Sequence, residues 1–148
     1  MDVLADIDIE AAYRLLENEE MPGWLFMPKN GATTIWESWV GTQVQGGIAS
    51  LNHYSKGAVC EWLFKTMCGI QTDGENHFLI APRPGGNFTY VRGSYQSIYG
   101  KIESGWIMEK GKVLYEVIIP ANCTARIVLS GKEPFTVQTG DYKFEVRR

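Results

Sequence analysis

From Val113 to Arg147 the chain repeatedly places apolar side chains on every second position, and that period constrains the fold more than any other feature. Val113, Tyr115, Val117 and Ile119 share one side of a run that Pro120 ends. Tyr142, Phe144 and Val146 alternate with Asp141, Lys143, Glu145 and Arg147. Cys123, Ala125, Ile127 and Leu129 form a third face, and Ile98, Ile102, Trp106 and Met108 lie at even spacing on a further strand. A period of two belongs to a strand with one face buried. Gly-containing turn signals at 84–87, 110–112, 130–132 and 139–141 separate the runs. Short strands with frequent turns predict an antiparallel β-sandwich.

The first half follows a different period. Ile9, Ala12, Leu15 and Leu16 recur at helical spacing, with Asp6 or Asp8 as N-cap and Met21-Pro22-Gly23 as the stop. Thr34-Ile35-Trp36-Glu37 matches a capping box ahead of a short helix ending near Gly41. Gln43 to Gly47 reads as a polar loop. Between Tyr54 and Gly69, apolar residues from Ala58 to Cys68 cover most of a helix circumference, so that helix must be buried, and Gly69 stops it. Helices followed by strands predict a segregated α+β layout. We place the boundary at residue 70, giving units 1–70 and 71–148. Three such helices cannot enclose their own apolar surface, so residues 1–70 resemble a slice of a larger helical domain.

Charge and cysteine content narrow the function. Fourteen Lys and Arg against seventeen Asp and Glu leave a formal charge of −3, which argues against a nucleic-acid surface. The charge is uneven, with nine acids and four bases in 1–70 and eight acids and ten bases in 71–148. No apolar run approaches the roughly 20 residues of a membrane span. The acidic start contains no signal peptide, so a cytoplasmic location is expected. Cys60, Cys68 and Cys123 have no metal-ligand spacing and read as buried free thiols in a reducing setting. No metal or organic cofactor is implied.

Two constellations could carry chemistry. In Gly31 to Trp39, Glu37 lies between Trp36 and Trp39. Indoles offer flat apolar faces for sugar rings, and a carboxylate among them can serve as a general base if it reaches a water. Alternatively, Glu37 completes a capping box with Thr34 and the indoles are core. In Ser50-Leu51-Asn52-His53-Tyr54, His53 can present a donor to hydroxyl groups, or can be a satisfied structural residue. His77 reads as a strand residue.

The strings GATTIWESW (31–39), SLNHY (50–54) and GAVCEWLF (57–64) resemble the C-terminal end of bacterial α-L-rhamnosidases, glycoside hydrolase family 78. The strings APRPGGNFTYVRGSYQSIYGKIESGW (81–106) and EVIIPANCTARIVL (116–129) resemble the β-sandwich that follows it. The resemblance implies that residues 1–70 are the last helices of an (α/α)6 toroid. It implies an inverting hydrolysis of rhamnose-containing glycosides, with Glu37 as general base, His53 contacting the sugar, and Trp36 and Trp39 as walls of the site. An inverting glycosidase also needs an acid roughly 6.5–9.5 Å from the base. In the family that acid lies upstream, in an Asp/Arg/Glu stretch that this sequence does not contain, so the missing part of the toroid is an implied partner and the chain alone is expected to be inactive. A different expectation is a non-catalytic accessory or carbohydrate-binding sandwich, motivated by Tyr90, Tyr95 and Tyr99.

Overall fold

The alternating runs become strands because their apolar faces meet in one core. The computed structural model describes residues 1–41 and 49–147. These divide into two units, Met1–Glu61 and Trp62–Arg148. The loop expected at Gln43 to Gly47 lies outside the described residues.

In the second unit, β1 (Ile70–Thr72), β2 (His77–Ile80), β6 (Thr124–Ile127) and β7 (Phe135–Val137) form one sheet, in the order β1-β2-β6-β7. The other sheet, in the order β3-β4-β5-β8, contains β3 (Tyr90–Ser97), β4 (Gly100–Glu109), β5 (Lys112–Ile119) and β8 (Gly140–Arg147). Their inward residues form one cluster: Phe78, Ile80, Ala125 and Ile127 from the first sheet, and Ile102, Trp106, Tyr115 and Val117 from the second. This is the expected sandwich, with one difference. β2 pairs with β6 in parallel, Phe78 opposite Ala125 and Ile80 opposite Ile127. A second correction concerns Ile98, which lies in the turn between β3 and β4 and is 92% exposed. The even spacing runs through that turn by coincidence, because the strand starts at Gly100.

Within this unit the chain enters the sandwich through a wide turn. Leu63–Met67 is a π-helical turn, closed by the Cys68 amide donating to Leu63 O at 3.0 Å. A π turn inserts an extra residue and rotates the downstream side chains relative to an α-helix. Thr66 and Met67 are therefore buried while Phe64 is 46% exposed. The turn's free carbonyls are satisfied from β4: Trp106 Nε1 donates to Met67 O at 2.8 Å, and Ser104 Oγ donates to Cys68 O at 2.5 Å. Gly69, at φ +76, ends the turn as expected.

The first unit contains α1 (Asp2–Ile7), α2 (Ile9–Leu16), α3 (Phe26–Lys29) and α4 (Tyr54–Gly57). A further short helix, α5 (Val59–Trp62), follows at the boundary. Asp8 caps α2 through the Ala11 amide at 2.9 Å, as the sequence predicts. α2 stops at Leu16, ahead of Pro22, and Asn18 ties down the following turn by bonding both Glu20 N and Pro22 O. The single helix expected from Tyr54 to Gly69 is instead α4, α5 and the π turn. Gly57, a poor helix former, ends the first piece. No helix forms at 34–41. Thr34 Oγ1 donates to Leu51 O instead of capping, and Glu37 bonds across to Ser50. Cys68 and Cys123 are buried as expected, but Cys60 is exposed. Among the described residues, no helix is long and apolar enough to cross a membrane.

Candidate active site

The four residues singled out in the sequence all lie in the first unit, on two extended segments that are laced together. His53 N donates to Ile35 O at 2.8 Å, and Glu37 N donates to Ser50 O at 2.9 Å. This pairing brings the W-E-S-W segment alongside the S-L-N-H-Y segment, and so sets Glu37 beside His53.

The Glu37 carboxylate is held asymmetrically. Oε2 accepts the Ser50 amide proton at 2.7 Å. Oε1 faces His53 Nε2 at 3.8 Å, beyond direct hydrogen-bond range. The Glu37 side chain is 46% exposed and that of His53 31%. One oxygen is thus fixed by backbone, and the other faces the imidazole from a half-exposed side chain. The capping-box alternative fails: the partner of Glu37 is an amide 13 residues away, and no helix starts at Thr34.

His53 is oriented from both sides. Its Nδ1 lies 2.7 Å from Ser55 Oγ, and its ring stacks on Tyr54 at 5.3 Å between centroids. When the Ser55 hydroxyl donates to Nδ1, the ring proton resides on Nε2 and points toward Glu37. Asn52 does not reach this pair; its amide bonds Ser50 Oγ at 3.1 Å.

The two indoles have different surroundings. Trp36 N donates to Met27 Sδ at 3.4 Å, and Gly41, at φ +62, presses its backbone on the six-membered ring. A Cβ at Gly41 would stand 3.1 Å from Trp36 Cε3 and Cζ3, which is why a glycine is needed there. Trp39 receives the edge of Trp24 at 6.1 Å and 85°, and Lys56 Nζ sits 3.7 Å from the centroid of the Trp39 ring. Both indoles are half-buried.

Sequence reasoning missed Ser55, Lys56 and Trp24. Ser55 and Lys56 follow His53 by two and three positions, a signal that is available once His53 is placed at the start of α4. The link from Trp24 to Lys56 spans 32 residues and left no local signature. His77 is structural: its Nδ1 meets Thr124 Oγ1 at 2.5 Å across β2 and β6. Among the described residues, no group of three or more His, Cys, Asp or Glu side chains is gathered to hold a metal ion.

Comparison with known proteins decides the family. The sequence profile of the bacterial alpha-L-rhamnosidase 6 hairpin glycosidase domain matches residues 1–67, and that of the bacterial alpha-L-rhamnosidase C-terminal domain matches residues 69–143. The chain belongs to the bacterial α-L-rhamnosidase family. An alpha-L-rhamnosidase of Streptomyces avermitilis is 34% identical over 136 residues, covering 87% of this chain and 13% of the relative. One from Formosa agariphila is 35% identical over 127 residues, covering 81% of this chain and 14% of the relative. The crystal structure of the Streptomyces avermitilis enzyme complexed with L-rhamnose matches at TM-score 0.85 and 30% identity, over 99% of this chain and 17% of that one. The structure of the Aspergillus terreus enzyme matches at TM-score 0.90 and 29% identity, over 99% of this chain and 18% of that one. The chain therefore spans a fifth or less of the length of the relatives it matches.

Proposed function

We propose that this chain is the C-terminal portion of an inverting α-L-rhamnosidase acting on terminal α-L-rhamnosides, with Glu37 as its general base. Residues 1–70 then close the helical toroid and residues 71–148 form the sandwich that follows. A water seated against Glu37 Oε1 gives up a proton to that oxygen. Its own oxygen attacks the anomeric carbon on the face opposite the departing glycoside. A carboxylic acid supplied by the rest of the toroid protonates the leaving oxygen from the other side, roughly 6.5–9.5 Å away. His53 holds a sugar hydroxyl from Nε2, and Trp36 and Trp39 wall the site. With the acid outside this sequence, the chain alone does not turn over.

The observation that supports this reading is the division of labour within one carboxylate. Ser50 N–H fixes Oε2, while Oε1 of the same half-exposed side chain faces the Nε2 of an oriented imidazole at 3.8 Å. A general base needs that combination of fixed position and a free accepting oxygen. The three unpaired cysteines favour a reducing, cytoplasmic setting.

The test is Glu37→Gln in a polypeptide with the upstream toroid restored, assayed on an aryl α-L-rhamnoside. The amide keeps the Ser50 bond and removes the basic oxygen, so kcat is expected to fall by about 10²–10⁴-fold with KM little changed. A variant within a few-fold of the parent strips Glu37 of the role.

A second reading is favoured by a different observation. On the sandwich, a groove of about 390 Å³ is lined by residues including Tyr90, Arg92, Ile107 and Glu116, and the Tyr90 side chain is 68% exposed. An aromatic ring beside hydrogen-bonding side chains suits a sugar. Calorimetric titration of the chain with rhamnose separates the two readings: heat that disappears in Tyr90→Ala assigns binding to the sandwich, and no heat at millimolar sugar removes that role.

A further inference from the structure

Backbone pairing places His53 but does not decide how its imidazole is turned. The bond from His53 N to Ile35 O, 2.8 Å long, fixes the main chain and leaves the ring free to rotate about its own bonds. Two side-chain contacts act on the ring, and they constrain different things. Stacking on Tyr54, at 5.3 Å between centroids and 18° between planes, fixes the plane of the imidazole. A half-turn about the Cβ–Cγ bond keeps that plane and exchanges Nδ1 with Cδ2 and Nε2 with Cε1, so stacking does not tell the two orientations apart. The hydrogen bond between Ser55 Oγ and His53 Nδ1, at 2.7 Å, does, because in the flipped ring a carbon would face the hydroxyl. Glu37 Oε1 stands 3.8 Å from Nε2, too far for a direct hydrogen bond to make the choice.

The same contact bears on the ring proton. A neutral imidazole carries one N–H, and its other nitrogen is an acceptor. With the proton on Nδ1, the Ser55 hydroxyl would accept it, and Nε2 would turn a lone pair toward Glu37 Oε1. The site would then present two acceptors side by side, and a sugar hydroxyl has a single proton and cannot satisfy both. With the Ser55 hydroxyl donating to Nδ1, the proton lies on Nε2 and the site presents one donor beside one acceptor. A carboxylate oxygen facing Nε2 favours this second arrangement. Ser55 lies within α4, two positions after His53, so the start of that helix holds its hydroxyl against the ring.

We propose that Ser55 is a positioning residue of this site: by donating to Nδ1 it selects the orientation of the His53 ring and keeps the donor proton on Nε2, ready for a sugar oxygen. The inference rests on the reading of Glu37 as general base with His53 as the sugar contact beside it, and its first readout does not require turnover.

The test is a long-range proton–nitrogen NMR spectrum of the His53 ring in the 148-residue chain, in solution basic enough to leave imidazoles neutral, for the parent, Ser55→Ala and Ser55→Thr. The parent is expected to show a protonated Nε2 and an unprotonated Nδ1, the latter displaced from the free position by the bond it accepts. Alanine is a better helix former than serine, so Ser55→Ala suits α4. Unchanged exchange of the His53 amide, which is bonded to Ile35 O, verifies that the segments stay paired. In that variant Nδ1 is expected to move to the free position. Ser55→Thr keeps a hydroxyl and is expected to restore the parent pattern. An Nδ1 resonance unchanged in Ser55→Ala overturns the proposal. So does a threonine variant as perturbed as the alanine one.

The parent spectrum is a check that needs no folded variant, because a proton found on Nδ1 refutes the assignment by itself. In a polypeptide with the upstream toroid restored, losing one neutral hydrogen bond is expected to lower kcat/KM on an aryl α-L-rhamnoside by about 3–10-fold in Ser55→Ala, with recovery in Ser55→Thr. An unchanged kcat/KM in Ser55→Ala overturns the positioning role. Failure of the general-base reading is distinguishable. In that case Glu37→Gln in the restored enzyme retains turnover while the Nδ1 shift of Ser55→Ala persists.

Discussion

Gly69 and Gly111 have nearly the same backbone conformation, φ +76 and φ +78, in opposite surroundings. A Cβ built on Gly69 would stand 2.1 Å from Pro82 N, 2.4 Å from Ala81 C and 2.6 Å from Pro82 Cα, all main-chain atoms. A Cβ on Gly111 meets nothing within 4 Å. The left-handed conformation costs an alanine about 1–2 kcal/mol at either site. The entropy an alanine removes from the unfolded chain returns up to about 1 kcal/mol at both. These contributions cancel between the two variants. What remains at Gly69 is a backbone clash that no side-chain rotation relieves, worth about 1–3 kcal/mol or more. Gly69→Ala is therefore expected to destabilise the sandwich by about 2 kcal/mol more than Gly111→Ala. The reporter is hydrogen exchange at Trp106 Nε1, whose proton is bonded to Met67 O inside this unit. Under conditions where exchange follows opening, 2 kcal/mol is about a thirtyfold faster exchange in Gly69→Ala than in Gly111→Ala. Equal rates in the two variants would refute the argument that the approach to Pro82, and not the backbone angle, makes glycine necessary at the entry to the sandwich.

Thiol reactivity follows from burial: Cys60 is exposed, burial pushes the Cys68 thiol up to about 11, and burial raises the Cys123 thiol. A disulfide exchange reagent at pH 8 is expected to modify one thiol per native chain, with Cys60→Ser abolishing the fast phase. Acid is expected to weaken the sandwich. Hydrogen bonding to Lys112 holds the Glu145 carboxyl below the ordinary value of 4.5, and Lys143 does the same for Glu116. A carboxyl with a depressed folded-state pKa contributes stability above its unfolded value and loses it as pH falls through the folded one. Urea midpoints should be flat from pH 7 to about 5 and decline below 4.5, and 0.5 M salt at pH 7 should reproduce a small part of that loss. Asp8→Ala removes the N-cap of α2 and is expected to lower the stability of the first unit by about 1 kcal/mol, read as earlier loss of ellipticity on heating.

Strand positions were legible because burial on one face writes a period of two into the sequence. β5 and β8 fall where Val113 to Ile119 and Tyr142 to Val146 predict them. What the period could not convey was orientation: β2 and β6 carry the same kind of apolar face as their antiparallel neighbours, and their parallel pairing depends on the route of the chain. The helices were harder to read because the competing bonds came from far along the chain. Thr34 and Glu37 satisfy a local capping pattern, yet both are recruited by residues 50 and 51, which a local rule does not see. The apolar stretch from Ala58 to Cys68 fits an unbroken helix in composition, and the register shift at Leu63–Met67 follows from the demands of Trp106 and Ser104 for the carbonyls of Met67 and Cys68. At the candidate site the sequence motif named Glu37 and His53. Their proximity depends on the Glu37–Ser50 and Ile35–His53 pairing, which no spacing encodes.

That pairing has a consequence for how a rhamnosidase of this kind would assemble its chemistry. Among the described residues, the hydrogen bonds that hold Glu37 and His53 come from nearby in the first unit: the Ser50 amide on Oε2, the Ile35 carbonyl on the His53 amide, and the Ser55 hydroxyl on Nδ1. The proposed base is thus preorganised by local bonds and does not need the opposing acid to hold it in place. Two carboxyl groups brought together early would repel and raise one another's pKa. In an inverting enzyme they must also stay far enough apart to admit a water. A base fixed by its own neighbours, with Oε1 left open, meets both requirements before the acid arrives, and the water site is then set by how closely the remainder of the toroid brings that acid.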